Sequence, residues 1–525
     1  MDLKQWCEID ERIYIADADE RYKQYAGFEY SEAVIEQLAD MKLRNAQIFL
    51  SSFSEPREIY LNTIESIADS KTKKLELKLH NLKNTKIISS KYRFDKAPVN
   101  WSTWRQFNSI EKDSAKRKHV FDEFIAKTKY IAPTIERRFS AIKEVYSQYG
   151  GKTISKRGKG LNDGDNDKNN SDTRSSSGGG GDSYGNQPSK ISKTNMSPLD
   201  GYLENEKLSY SQLIQFVKSM GQKAKKPFRE ALTNTSEKVL GREAEYYDDF
   251  YFFRNKVYFD MEKNFSGINP LLEVKKTLEL IQFDLSKINF DVDNRKNKYP
   301  SPICFFVQVP NDIRVLYKTE SPYFDLQGCF HETGHAMHAT SIDPSLEYWN
   351  RYSFSMGIAE IFSILLERLT KNGNYLESVL EIKDENIRNE LVSRNKFMEL
   401  FFVTFYTANS LMKAEYWRKN LSIEDANVLY SKLIKEYTGF EMPGQYWMLH
   451  HILPDEIMYV PSYLLAAVRA KELDIYLQNK FGEKWWINEN AGKHLQEIMR
   501  SGAKIELERF SKLDSSLFLK EIISI

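Results

Sequence analysis

The chain has 525 residues, 41% hydrophobic and 28% charged, which is enough apolar material for a large core and excludes wholesale disorder or fibrous structure. Lysine and arginine (75) nearly cancel aspartate and glutamate (74), leaving a net charge of +1. A general nucleic-acid binder needs a basic face, so no nucleic-acid partner is expected.

The first residues, MDLKQWCEIDERIY, place acids where a secretory signal needs an apolar run. No segment has 18 consecutive apolar residues, so no membrane span is predicted. The three cysteines (Cys7, Cys304, Cys329) are too few for a disulfide framework and point to a reducing cytoplasm.

Residues 30–150 read mostly as helix and form a predicted N-terminal helical lobe over 1–150. Val34, Leu38, Met41, Leu43, Ile48 and Leu50 recur at three-to-four spacing. A second helical run covers 58–82. A third, over 104–148, carries Phe121, Phe124, Ile131 and Ile135, and Pro133 should kink or break it. The charge runs KTKKLELK and EKDSAKRK read as solvated faces. Residues 151–198 are rich in Gly, Ser, Asn and Asp and read as a flexible linker or long loop. Within them Asp163, Asp165 and Asp167 imitate an EF-hand start, but Lys168 and Arg174 stand where Gly and Glu are required.

Residues 199–525 form a predicted second, catalytic lobe. Its helices are expected at 209–219, 236–263, 270–286, 324–341, 356–371, 384–419, 422–437, 459–479 and 488–511. Ser422 and Asp425 suggest a capping box. Residues 303–320 read as strand, turn at Pro310-Asn311-Asp312, and strand.

The chemistry concentrates in YFDLQGCFHETGHAMHAT, residues 323–340. His331 and His335 stand four apart, so on a helix they share a face about 5–6 Å apart at Cβ and can hold one zinc ion. Glu332 lies beside them as a candidate general base for a metal-bound water. A third ligand is required, and Glu360, in an otherwise apolar helical segment, is the candidate; an exposed or ion-paired acid is the alternative. Glu367, seven residues on, reads more readily as an exposed or ion-paired acid. His338 is expected to support the site without binding metal, and Cys329 to be a buried thiol. Peptide hydrolysis also needs donors for a developing oxyanion. His451, Tyr463 and, less directly, Tyr459 have suitable groups, with aromatic core packing the alternative for the two tyrosines.

HETGHAMH resembles the HExGHxxH motif of the thimet oligopeptidase / oligoendopeptidase F family of zinc metallopeptidases. The spacing to Glu360 and the order His451, Tyr459, Tyr463 are similar to that family's pattern. DIRVLYKTE (312–320), GIAEIFSILLE (357–367) and the segment His451, Tyr459, Pro461, Tyr463 also look like motifs of the carboxypeptidase Taq family. Leu316 and Ala359-Glu360-Ile361-Phe362 depart from that second pattern.

The resemblance implies a mostly α-helical, two-lobed zincin-type metallopeptidase, with a deep channel and a small β-sheet next to the zinc helix. It implies one zinc per chain, held by His331, His335 and Glu360, and short peptides as substrates. Endo-acting oligopeptidase activity is the first expectation. A carboxypeptidase of the Taq type, with Arg314 or Arg351 as candidate cations for a C-terminal carboxylate, is the second, and a non-catalytic peptide-binding scaffold the third. The sequence does not define an oligomeric state.

Overall fold

The computed structural model describes residues 2–53, 57–85, 87–101, 103–150, 196–258, 260–295, 298–299, 301–319, 321–449 and 456–524. The chain opens with α1 (Leu3–Ala26), α2 (Glu32–Ser52) and α3 (Arg57–Thr85). Asp2 caps α1 through the Gln5 amide, and Gly27 closes it with a left-handed φ of 77°. A hairpin of β1 (Ile87–Phe94) and β2 (Ala97–Asn100) precedes α4 (Trp104–Ile110), α5 (Ser114–Lys127) and α6 (Ala132–Gly150). After it come α7 (Pro198–Asn205), α8 (Tyr210–Leu240), the short α9 (Asp249–Tyr251) and α10 (Pro270–Leu280).

The strands β3 (Ile288–Asp291), β4 (Ile303–Gln308) and β5 (Asp312–Leu316) form a sheet in the order β3-β5-β4. β3 runs parallel to β5 and β4 antiparallel to it, so β4 is an edge strand. The remaining helices are α11 (Pro322–Ser341), α12 (Tyr348–Tyr352), α13 (Met356–Leu369), α14 (Gly373–Ser378), α15 (Glu385–Lys419), α16 (Ile423–Thr438), α17 (Tyr459–Phe481), α18 (Glu489–Met499) and α19 (Ser515–Ile523). The fold is therefore mostly helical, with the small sheet packed against α11.

One apolar core runs through the molecule, from Trp6 on α1 to Ile522 on α19. Helices on both sides of residues 151–195 contribute to it: Phe139 of α6 packs on Tyr416 and Trp417 of α15 at 5.3 and 5.0 Å between ring centres. The linker and the EF-hand-like aspartates lie outside the described residues, except that Ser197 and Pro198 already open α7 through a capping box with Asp200. No helix among the described residues is long and apolar enough to cross a membrane.

Several expectations change. On α2 the core face is Ile35, Leu38, Ala39, Ala46 and Phe49, while Val34, Met41 and Ile48 are exposed. The predicted run over 104–148 is three helices, and Pro133 sits in the first turn of α6, where a missing N–H costs nothing. The β1–β2 hairpin falls inside the region expected to be helical. α8 ends at Gly241 (φ 70°), so 236–263 is not one helix. The last predicted helix stops at Met499. The charge runs are only partly solvated. Arg117 is buried, 2.5 Å from the buried Asp248, and Lys73 is buried against Glu76. A buried charge with a close partner avoids the large cost of desolvation alone.

Candidate metal centre

α11 is fixed at its start by a distant carboxylate. Glu262 accepts from the Ser321 hydroxyl at 2.5 Å and from the Tyr323 amide at 3.1 Å, which satisfies one orphan N–H of the first turn. Three turns on, Gly334 brings α11 against α13. A Cβ at Gly334 would lie 2.4 Å from the Phe362 carbonyl oxygen and 2.5 Å from Ser363 Cα. Only a glycine permits this approach, and the approach presents Glu360 of α13 to the histidines of α11.

His331 Nε2 lies 3.2 Å and His335 Nε2 3.5 Å from Glu360 Oε2. Donors of a tetrahedral metal bound at about 2.0–2.1 Å stand about 3.3 Å apart, so the three residues fit one ion. They are the metal-capable cluster found among the described residues. Glu360 is 1% exposed at its side chain, and Ser363 Oγ also donates to its Oε2 at 2.9 Å. Burial works against charge on Glu360, but His335 and His331 outweigh it and hold the carboxyl well below its usual range.

The second nitrogen of His331 is also engaged. Its Nδ1 lies 2.8 Å from Glu367 Oε2, and Glu367 in turn pairs with Lys371 at 2.7 Å, which reaches Glu399 at 2.5 Å. Glu367 thus engages Nδ1 of His331 and leaves Nε2 facing Glu360, an arrangement suited to orienting a metal-binding imidazole. Glu367 is ion-paired, as expected, and its contact with His331 is the addition. The available signal is its position two helical turns after Glu360, which puts both on one face of α13. Burial opposes charge on His331, yet Glu360 and Glu367 raise its imidazole well above the usual value.

Glu332 lies beside the histidines without being part of the ligand cluster. Burial pushes its carboxyl up, and Glu360 adds to this; His331, His335 and a hydrogen bond from the Cys304 amide of β4 oppose it. The Glu332 carboxyl therefore faces the edge strand β4. His338 does not join the triad. It is fully buried between Phe354 and Phe362, and burial, with His335 adding, pushes its imidazole down to about 3. Cys329 is a buried free thiol, as expected.

α17 brings Tyr459 and Tyr463 to the same place. The Tyr459 hydroxyl donates to Glu360 Oε1 at 2.5 Å. Its ring tilts against Tyr463 at 5.1 Å, and Tyr463 stacks on Tyr406 of α15 at 5.4 Å. Tyr459 therefore spends its hydroxyl on a carboxylate of the metal-capable cluster, which the sequence reading did not foresee. His451 lies outside the described residues.

The chain shares its fold with helical peptidases of known structure. An M32 carboxypeptidase from Deinococcus radiodurans R1 superposes with a TM-score of 0.57 at 11% identity, covering 99% of each chain. PZ peptidase A, solved with an inhibitor, gives 0.57 at 13% identity over 99% of this chain and 85% of its own. A candidate oligoendopeptidase F from Bacillus anthracis str. Ames gives 0.54 at 13% over 96% and 83%. The likeness thus extends to both kinds of peptidase that the motifs resemble, at the level of fold. No family profile and no curated protein matches the sequence.

Proposed function

We propose that the chain is a zinc metallopeptidase that cleaves short peptides internally. The observation that carries this reading is the His331, His335 and Glu360 cluster with Glu332 beside it; the shared fold supports it. Zinc bound there would polarise the scissile carbonyl and make water more acidic. Glu332 accepts the proton of the attacking water and returns it to the leaving nitrogen. The hydroxyl of Tyr463 donates to the carbonyl oxygen as negative charge develops, a role it shares with His451. Tyr459 and Glu367 hold the ligands in place. β4, as the sheet edge beside Glu332, suits an extended substrate backbone.

The carboxypeptidase reading needs a cation free to hold a terminal carboxylate. Both candidates are already paired: Arg314 with Asp19 and Asp312 at 2.8 and 2.7 Å, and Arg351 with Glu11 at 2.7 Å. That favours the endo-acting mode. The free, sparse cysteines fit a cytoplasmic site of action.

The test is cleavage of one peptide with a free C-terminus and one C-terminally amidated, followed by product mass. Internal cuts in both are expected, with activity lost on chelation and restored by zinc, and with Glu332→Gln keeping about one zinc per chain but losing turnover. Stepwise loss of C-terminal residues from the free peptide alone would establish the carboxypeptidase instead. Peptide binding with no cleavage and no metal would establish the scaffold.

A further inference from the structure

Helix α13 carries Glu360 and Glu367, yet its own N-cap, Ser355, makes no side-chain capping bond. The missing acceptor comes from far away in the chain. Glu206, just after α7, takes the Gly357 amide through Oε1 at 2.8 Å. A carboxylate at a helix N-terminus satisfies an orphan donor and is favoured by the helix dipole. The same glycine is held from its other side: Arg469 of α17 donates through Nη1 to the Gly357 carbonyl at 2.9 Å and to Glu206 Oε2 at 3.2 Å. Both charged side chains are nearly fully buried, at 1% and 5% exposure.

The fit against the backbone is close. A Cβ at Gly357 would lie 2.5 Å from Glu206 Oε2 and 2.6 Å from Arg469 Nη1. Any side chain here would have to displace the ends of the ion pair from the backbone. Ser462 extends the network, 3.5 Å from Glu206 Oε1 and 3.1 Å from the Tyr202 hydroxyl of α7. The elements joined are the ones that build the site. Gly357 stands one helical turn before Glu360. Ser462 stands between Tyr459 and Tyr463, and Arg469 lies two turns further along the same helix. A shift or rotation of α13 against α17 would separate the Tyr459 hydroxyl from Glu360 and move Glu360 relative to His331 and His335.

We infer that the buried Glu206–Arg469 pair is a positioning device for the metal centre, which sets the register of α13 against α17 and thereby the placement of Glu360. It rests on the metal-site reading above. A purely structural role is a distinct alternative, because a buried ion pair can often be replaced by apolar residues of similar volume with stability kept or raised. Apolar residues would fill the space, but they cannot hold the Gly357 amide and carbonyl.

The test is the double variant Glu206→Leu/Arg469→Met, with Zn2+ affinity measured by competition with a chromophoric chelator, thermal unfolding, and kcat and KM on one fluorogenic peptide. The expected result is a folded protein whose Zn2+ affinity falls about 10- to 100-fold, the usual consequence of removing groups that orient metal ligands, with kcat reduced and KM nearly unchanged. A folded double variant with affinity and kcat within about threefold of wild type would overturn the inference. If the double variant does not fold, Glu206→Gln decides: it keeps an acceptor for Gly357 but loses the charge facing Arg469. At least about fivefold weaker Zn2+ binding supports the inference, and binding within about twofold of wild type overturns it. Wild-type protein that binds no Zn2+ would instead overturn the metal-site reading, and this inference with it.

Discussion

Tyr459 and Tyr463 stand one helical turn apart on α17, yet the proposed mechanism gives their hydroxyls different uses, and substitution by Phe separates the two. Phe keeps each ring and its stacking. Tyr459→Phe removes the 2.5 Å bond to Glu360, so Zn2+ affinity should drop about 10- to 100-fold. Tyr463→Phe keeps the bond from Tyr459 to Glu360 and removes the donor proposed for the transition state. Its kcat should fall roughly a hundred- to a thousand-fold with KM and metal content unchanged. Steady-state kinetics with a metal assay on both variants checks this; the opposite pattern would exchange the two roles. At this scale the sequence is informative where chemistry depends on local spacing. His331, Glu332 and His335 are legible because one helical turn fixes their relation. Glu367 is not, because its partner is 36 residues away and depends on how α13 is rotated against α11. The Tyr459–Glu360 bond spans 99 residues and leaves no sequence signal.

Between elements, backbone contact sets the geometry. The motif glycine Gly334 leaves no room for a methyl group against Phe362 and Ser363, so Gly334→Ala must push α11 and α13 apart. Overpacking of this kind typically costs about 1–3 kcal/mol, and here it would also spread the metal donors. A lower melting temperature together with weaker Zn2+ binding is expected; unchanged values of both would show that the helices can separate freely. A second contact ties α13 and α17 to α19. Glu521 lies 2.7 Å from Arg368 and 2.8 Å from Lys471. Burial opposes its charge, but Arg368 and Lys471 lower its carboxyl to about 2. A carboxyl held below its ordinary value stabilises the fold at pH above that value, and the contribution fades as pH falls toward about 2. The stability gap between wild type and Glu521→Gln should therefore be largest near neutral pH and shrink below about pH 4.5. Urea unfolding at pH 7 and pH 3 measures it, and a gap that widens in acid would contradict the assignment. Element type was legible where apolar periodicity is long, as in α15 and α17. It failed at the β1–β2 hairpin, whose register contains irregularities; on α2 the helix was legible but not its buried face, because two apolar stripes compete and only packing selects one.

On the scale of the whole molecule, the composition break at 151–198 marks an interruption of the sequence but not of the core. Gly150 at the end of α6 is packed directly against Met196, just before α7; a Cβ at Gly150 would meet Met196 Cβ at 2.2 Å. Gly150 and Met196 thus lie side by side. Near that place the two parts are joined by buried groups. Gly201 of α7 packs under Tyr146 of α6. Further contacts tie the N-terminal helices to the rest: Arg117 to Asp248, Tyr22 to Asp291 at 2.9 Å, and Tyr348 to Asp10 at 2.8 Å. None of these requires residues 151–195. Replacing them with a short Gly/Ser connection between Gly150 and Met196 should therefore preserve folding, Zn2+ binding and peptide cleavage. Each halving of a loop lowers its closure cost by about 0.6 kcal/mol, so the shortened protein should be equally stable or more stable by up to about 2 kcal/mol. Denaturant unfolding with activity on the same peptide checks this. A shortened protein that folds and binds Zn2+ but no longer cleaves would show that the segment acts on substrate, and one that fails to fold would show that it contributes to the core.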